Sequence, residues 1–160
     1  MPNLYGFEVK HATANEIGAI AEITRAAFLK YCEAARISTD IEALNETHED
    51  IRRDIENKEV YVAFIDDVPV GSVRIEILDG GRAYLSRFGV REDSRNNGIG
   101  KILMNVVDNR MKLHKVKRLE LHTASWALPL VRFYYGRGFY VESVENSRGY
   151  PRALMVKEYK

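Results

Sequence analysis

Tyr84-Leu85-Ser86-Arg87-Phe88-Gly89-Val90, followed four residues later by Arg95-Asn96-Asn97-Gly98-Ile99-Gly100-Lys101, decides how this chain is organised. The first half alternates like a strand. From Gly98 the period changes: Ile99, Ile102, Leu103, Val106 and Val107 form one stripe, and Lys101, Asn105, Asp108 and Lys112 another, as on a helix packed against a sheet. Glycines at 98 and 100 leave backbone N–H groups unshielded at the mouth of that helix, which suits a phosphate. Taken alone, the same residues also read as a polar turn with a glycine pair.

Two familiar glycine motifs are excluded by inspection. A Walker A loop requires glycine where Arg95 stands and a hydroxyl residue where Ile102 stands. A dinucleotide fingerprint requires a third glycine where Leu103 stands.

Composition narrows the partners. The chain has 160 residues, the size of one domain, and a chain of this length buries about 68–70% of its unfolded surface. We therefore read residues 1–160 as a single domain. With 24 basic and 23 acidic residues the net charge is +1, which gives no general attraction to nucleic acid or an anionic membrane, so a small molecule is the expected partner. The lone cysteine, Cys32, cannot form an intramolecular disulfide or a thiolate zinc cluster and reads as a packing residue; no metal is expected. No long apolar run or leader-like segment is apparent, and the expected location is cytoplasmic.

Working outward, Leu4 to Lys10 reads as a first strand, and Thr13 to Glu16 has capping-box spacing ahead of a helix carrying Ile17, Ile20, Ala21, Ala27 and Phe28. Thr47 to Asp50 repeats that spacing before a short charged helix with Ile51 and Ile55. Val60 to Ile65 and Val70 to Leu78 flank an Asp66-Asp67 turn, and Asp79-Gly80-Gly81 leads into the strand ending at Val90. Beyond the glycine helix, Val116 to Thr123 returns to strand and Pro129 opens a short helix ending near Gly138. Phe139 to Glu145 and Arg152 to Lys157 close the chain as strands. The expected fold is α/β (α+β), a mixed and mostly antiparallel sheet of about seven strands flanked by about four helices, with one strand-helix-strand crossover.

In this order, two signatures resemble those of the GNAT N-acetyltransferases, which move an acetyl group from acetyl-CoA to an amine. Arg95-Asn96-Asn97-Gly98-Ile99-Gly100 resembles the family's pyrophosphate loop, and Phe133-Tyr134-Tyr135-Gly136-Arg137-Gly138-Phe139 resembles its second signature. The resemblance implies that backbone groups of Phe88 and Val90 pair with the pantetheine arm of acetyl-CoA. It further implies that the amides of Arg95, Asn96, Asn97, Gly98, Ile99, Gly100 and Lys101 hold the pyrophosphate, helped by the helix dipole, with a Cβ at 98 or 100 obstructing close approach. Tyr134 matches the tyrosine that serves many members as general acid to the departing thiolate.

The acceptor side is less defined. His122, near the end of its strand, is a candidate base, with Tyr84 or Ser86 as holders of a relay water. His11, His48 and His114 read as solvated. Ala127 stands where many members carry an asparagine that bonds the cofactor arm, and Ser125 is a partial substitute. Trp126 reads as a core plug. The acids Glu42, Glu46, Glu49, Asp50 and Asp54 suggest a cationic amine. The expected activity is acetylation of a small-molecule primary amine in a ternary complex. The alternatives are a peptide or protein N-acetyltransferase and a non-catalytic acyl-CoA-binding module. A homodimer is left open.

Overall fold

The computed structural model describes residues 6–38, 41–93 and 98–160. Seven strands form one sheet: β1 Phe7–His11, β2 Glu59–Ile65, β3 Val68–Ile77, β4 Arg82–Val90, β5 Arg118–Ala124, β6 Tyr140–Glu145 and β7 Arg152–Glu158. Four α-helices flank it: α1 Ile17–Ala35, α2 His48–Asn57, α3 Ile99–Leu113 and α4 Leu128–Gly136. The strand order is β1-β2-β3-β4-β5-β7-β6, antiparallel at every pairing except β4 with β5.

Local chemistry accounts for most boundaries. Both capping boxes form: Thr13 accepts from Asn15 N–H while Glu16 reaches back to Thr13 N–H, and Thr47 and Asp50 do the same for α2. Asp66 and Asp67 take φ of 48° and 67° between β2 and β3, the left-handed pair that a two-residue hairpin needs. Several strand limits differ from the sequence pattern by one to two residues, and two of them have a plain cause. β1 runs on to His11 because that residue pairs with Tyr61, and its expected start at Leu4 lies outside the described residues. β5 starts at Arg118 because Val116 N–H still bonds Met111 O at the end of α3 and Lys115 sits at φ 56°, which makes Val116 part of the turn.

The sheet is covered on both sides. Ile17 and Ile20 of α1 and Ile51 of α2 pack on Val60 and Val62. Leu103, Met104, Val107 and Met111 of α3 pack with Tyr61, Ala63, Val73 and Ile75 on the opposite face. Strand alternation sends the two β2 sets to opposite faces, and each fully buried Val, Ile, Leu or Met side chain among these contributes about 1.5–3 kcal/mol of transfer free energy. Cys32 is buried and reduced. No helix among the described residues is long and apolar enough to cross a membrane.

The acidic stretch before β2 folds back on the sheet. Arg74 of β3 is fully buried, and its terminal nitrogens donate to Glu46 at 2.5 and 2.7 Å and to Asp54 at 2.8 Å. Arg87 adds a bond to Glu46, and Asp50 is engaged by Thr47 and Arg53. The expectation that these acids face a cationic amine is corrected for three of the five: Glu46 and Asp54 neutralise a buried arginine and Asp50 caps a helix, while Glu42 and Glu49 are exposed. His114 is exposed as expected, and its Nε2 pairs with Glu59.

Candidate active site

The parallel pairing of β4 with β5 is three residues long, Arg82↔Arg118, Ala83↔Leu119 and Tyr84↔Glu120. Beyond it the strands part, while β5 stays paired with β7 as far as Ala124↔Arg152. The gap is a cleft of about 260 Å³, lined by Leu85 to Val90 on one side, by Leu121 to Thr123 on the other, and by residues of α1, α3 and α4.

One edge of β4 is therefore open. Arg91 N–H donates to Val70 O at 2.7 Å, so strand alternation turns the N–H and C=O of Val90 away from β3, toward the cleft. The ring of Phe88 stacks on Phe133 of α4, with centroids 5.4 Å apart and planes 14° apart.

The mouth of α3 meets this edge. Gly98 stands before the first helical residue at φ 78°, a left-handed conformation that side chains resist. Its carbonyl accepts the helix's first bond, from Ile102 N–H, so the amides of Ile99, Gly100 and Lys101 have no partner inside the helix. Gly100 has a different reason to lack a side chain: a Cβ there would lie 3.3 Å from Phe88 Cζ and 3.4 Å from Phe133 Cζ. The space around a Cβ on Gly98 is open. Beside the expectation that both glycines clear room for phosphate, each has a reason within the protein: backbone conformation favours glycine at 98, and the aromatic pair crowds position 100.

Tyr134 lies in α4, 5% exposed, against Phe88, Phe133 and Phe139 at ring separations of 6.0, 5.6 and 5.5 Å. Phe139 N–H bonds Tyr134 O at 3.1 Å, which locks the end of α4. The Tyr134 hydroxyl has no hydrogen-bond partner among the described residues, and burial, reinforced by nearby Tyr31 and Tyr84, raises its pKa well above that of an ordinary phenol. The phenol therefore keeps its proton.

His122 lines the opposite wall, with Nδ1 2.5 Å from the Tyr84 hydroxyl. Burial foremost, then Arg152, holds its pKa below the ordinary 6.5, so the ring is neutral near pH 7. When Nδ1–H donates to the tyrosine oxygen, the Nε2 lone pair is free.

The cleft thus brings together Phe88, Val90, Gly100, His122 and Tyr134. Ile99 points into the core, fully buried, and Lys101 is exposed. Arg95, Asn96 and Asn97 lie outside the described residues. Ser125 does not line the cleft: its N–H bonds Pro151 O and its Oγ is buried without a partner. Trp126 is not a core plug either. It is 49% exposed under the guanidinium of Arg36, because the corner between β5 and α4 turns the small Ala127 inward instead. Arg87, Phe28 and Tyr31 also line the cleft, though sequence patterning assigned none of them to a site and read Phe28 only as part of a helix face. Tyr31 is fixed there by accepting a 2.8 Å bond from Ala124 N–H.

A model of the acetyltransferase (GNAT) family matches residues 21–139, from α1 through the turn after α4. The chain belongs to the GNAT family. A Bacillus subtilis (strain 168) protein carrying the name of an acetyltransferase is 25% identical over 150 residues, 93% of this chain and 94% of that one. Among solved structures, the PaiA N-acetyltransferase of Thermoplasma acidophilum, in complex with coenzyme A, is similar with a TM-score of 0.82 and 20% identity, over 96% of this chain and 99% of that one. The ribosomal-protein-alanine N-acetyltransferase of Brucella melitensis is similar with a TM-score of 0.73 and 19% identity, over 95% and 99% of the two chains. At these identities the solved structures speak for the GNAT fold alone. The mostly antiparallel seven-stranded sheet and its four helices are that fold.

Proposed function

We propose that this GNAT chain transfers the acetyl group of acetyl-CoA to the primary amine of a small molecule, by direct attack in a ternary complex. The observation that carries the reading is the parting of β4 and β5, which sets an open strand edge, a helix mouth, a protonated phenol and a neutral imidazole around one cleft.

The residues present fit a long anionic thioester. Val90 offers an outward N–H and C=O to an amide-bearing arm, and Phe88 adds an apolar wall. The first-turn amides of α3 and its dipole suit a pyrophosphate, the dipole contributing about 0.3–1 kcal/mol. When bound, acetyl-CoA supplies an activated acyl carbon and a thiolate leaving group. His122 Nε2 takes a proton from the ammonium, the amine nitrogen bonds to the acyl carbon as the C–S bond breaks, and Tyr134 gives its proton to the sulfur; the second proton shed by the nitrogen restores the Tyr134 phenol, and the imidazolium releases its proton to solvent. Such proton transfers are worth about 10²–10⁴ in rate.

Pro151 O accepts from Ser125 N–H, and Tyr150 packs by Ala35, Ala124 and Ala127, which seats the β6–β7 connection against the corner after β5. The test is thiol release from acetyl-CoA across a panel of small amines and peptides with free amino termini. Turnover of small amines supports the reading. Turnover of peptides alone, or acetyl-CoA binding with no turnover at all, rejects it.

A further inference from the structure

The wall of the cleft nearest α1 and α2 contains a residue that motif analysis does not touch. Between the rungs Arg74↔Ser86 and Ser72↔Gly89, β4 carries one residue more than β3, and in this bulge Arg87 adopts φ 53°. A left-handed arginine is uncommon, and such outliers gather where a site needs them.

The bulge sends neighbours to opposite faces: Phe88 to the aromatic rings of α4, Arg87 to Glu46. Glu46 is a rigid anchor. Its side chain is 7% exposed and both of its oxygens are already held by buried Arg74. Arg87 donates to it through Nε at 3.3 Å, and its Nη1 and Nη2 have no partner among the described residues. The guanidinium is therefore fixed from behind, with its two-pronged end unused, in a residue that lines the cleft.

Arg87 is the one residue with a permanent charge in the cleft's described lining, where the rings of Phe28 and Tyr31 form the α1 side. On its other side the same arginine borders a polar pocket with Glu42, Glu46, Asp50 and Asp54. A carboxylate would find a planar donor pair in a largely apolar setting, the geometry in which arginine recognises anions best.

We propose that the acceptor is a small amine that also carries a carboxylate, an amino-acid-like molecule whose carboxylate docks on Arg87 while its amine faces the thioester. This rests on the acetyl-transfer reading above.

The experiment measures thiol release with matched acceptors: leucine against isopentylamine, phenylalanine against phenethylamine, β-alanine against ethylamine, with putrescine and spermidine as a cationic arm. In at least one pair the carboxylated member is expected to have a kcat/KM at least 10-fold higher. Arg87→Asn, chosen because asparagine tolerates positive φ, lowers that ratio at least 10-fold, through KM more than kcat, and Arg87→Lys recovers part of it. Preference for the decarboxylated amines or the polyamines, or a ratio unmoved in Arg87→Asn, overturns the proposal. If no amine is turned over, acetyl transfer to small amines is what fails. Thermal unfolding in the presence of coenzyme A then decides the carboxylate site separately: a Tm raised by the carboxylated amines in wild type but not in Arg87→Asn keeps it, and no such difference removes it.

Discussion

The Tyr84 hydroxyl and the His122 Nδ1, 2.5 Å apart, span the point where β4 and β5 separate: Tyr84 sits on the last parallel rung, His122 two residues beyond it on β5. The bond fixes the imidazole so that Nε2 is the nitrogen left for the cleft. Because burial and Arg152 lower the His122 pKa, the acid limb of kcat/KM is expected below the ordinary histidine value of about 6.5. His122→Gln should abolish that limb. Tyr84→Phe should keep it while lowering kcat by about 10-fold or more, the scale on which a misplaced group acts. An unchanged profile in His122→Gln would remove the base assignment.

Stability near neutral pH should depend on Arg74 far more than on surface pairs. Arg74→Met leaves Glu46 and Asp54 with weaker partners and is expected to cost about 3–5 kcal/mol in urea unfolding, the usual result of breaking a buried ion pair from one side. Arg53→Ala, which removes an exposed pair with Asp50, should cost less than about 1 kcal/mol. Similar losses in the two variants would show that the buried network is not what ties the acidic segment to the sheet.

A second network sets the acid sensitivity. Burial works against ionisation of Glu59, but hydrogen bonds from Arg110, Tyr61 and His114 outweigh it and bring its pKa from 4.5 to about 2. The folded value lies below the unfolded one, so Glu59 contributes stability that is fully present above pH 4.5 and is lost as pH falls toward 2. His122, also lowered, adds a contribution present above its ordinary 6.5 and lost as the pH drops below it. Urea unfolding between pH 5 and 2 should show a shallower decline for Glu59→Gln than for wild type. Parallel declines would contradict this assignment.

The two loop glycines should fail differently. Gly98→Ala strains a left-handed residue and is expected to cost about 1–2 kcal/mol of stability, with Gly98→Asn costing less. Gly100→Ala pushes on the Phe88–Phe133 pair and is expected to weaken acetyl-CoA binding about 10-fold, or 1.4 kcal/mol, in titration calorimetry. Equal behaviour of the two alanine variants would undo the distinction.

Much of this was legible in the sequence because it is written in local patterns. Alternation around Val73 and Ile75, the Asp66-Asp67 turn and the Thr13 and Thr47 boxes each act within a few residues, and each forms. The family signatures carried Tyr134 and the glycine pair. What stayed hidden depends on distant partners. The charges of Glu46 and Asp54 look free until Arg74, 28 and 20 residues away, is folded beneath them. Arg87 looks like one more strand residue until the bulge against β3 gives it a left-handed backbone. Trp126 seemed a core residue by type, yet the corner after β5 turns Ala127 inward and leaves the indole outside.

The most direct test of acetyl transfer through Tyr134 is thiol release from acetyl-CoA in the presence of a turned-over amine, for wild type and Tyr134→Phe side by side, with acetyl-CoA affinity measured on both. Because the Tyr134 hydroxyl has no protein partner among the described residues, Phe should fold with unchanged or slightly higher Tm. The expected result is a kcat lowered about 10²-fold or more at nearly unchanged affinity. Equal rates in the two proteins would contradict it.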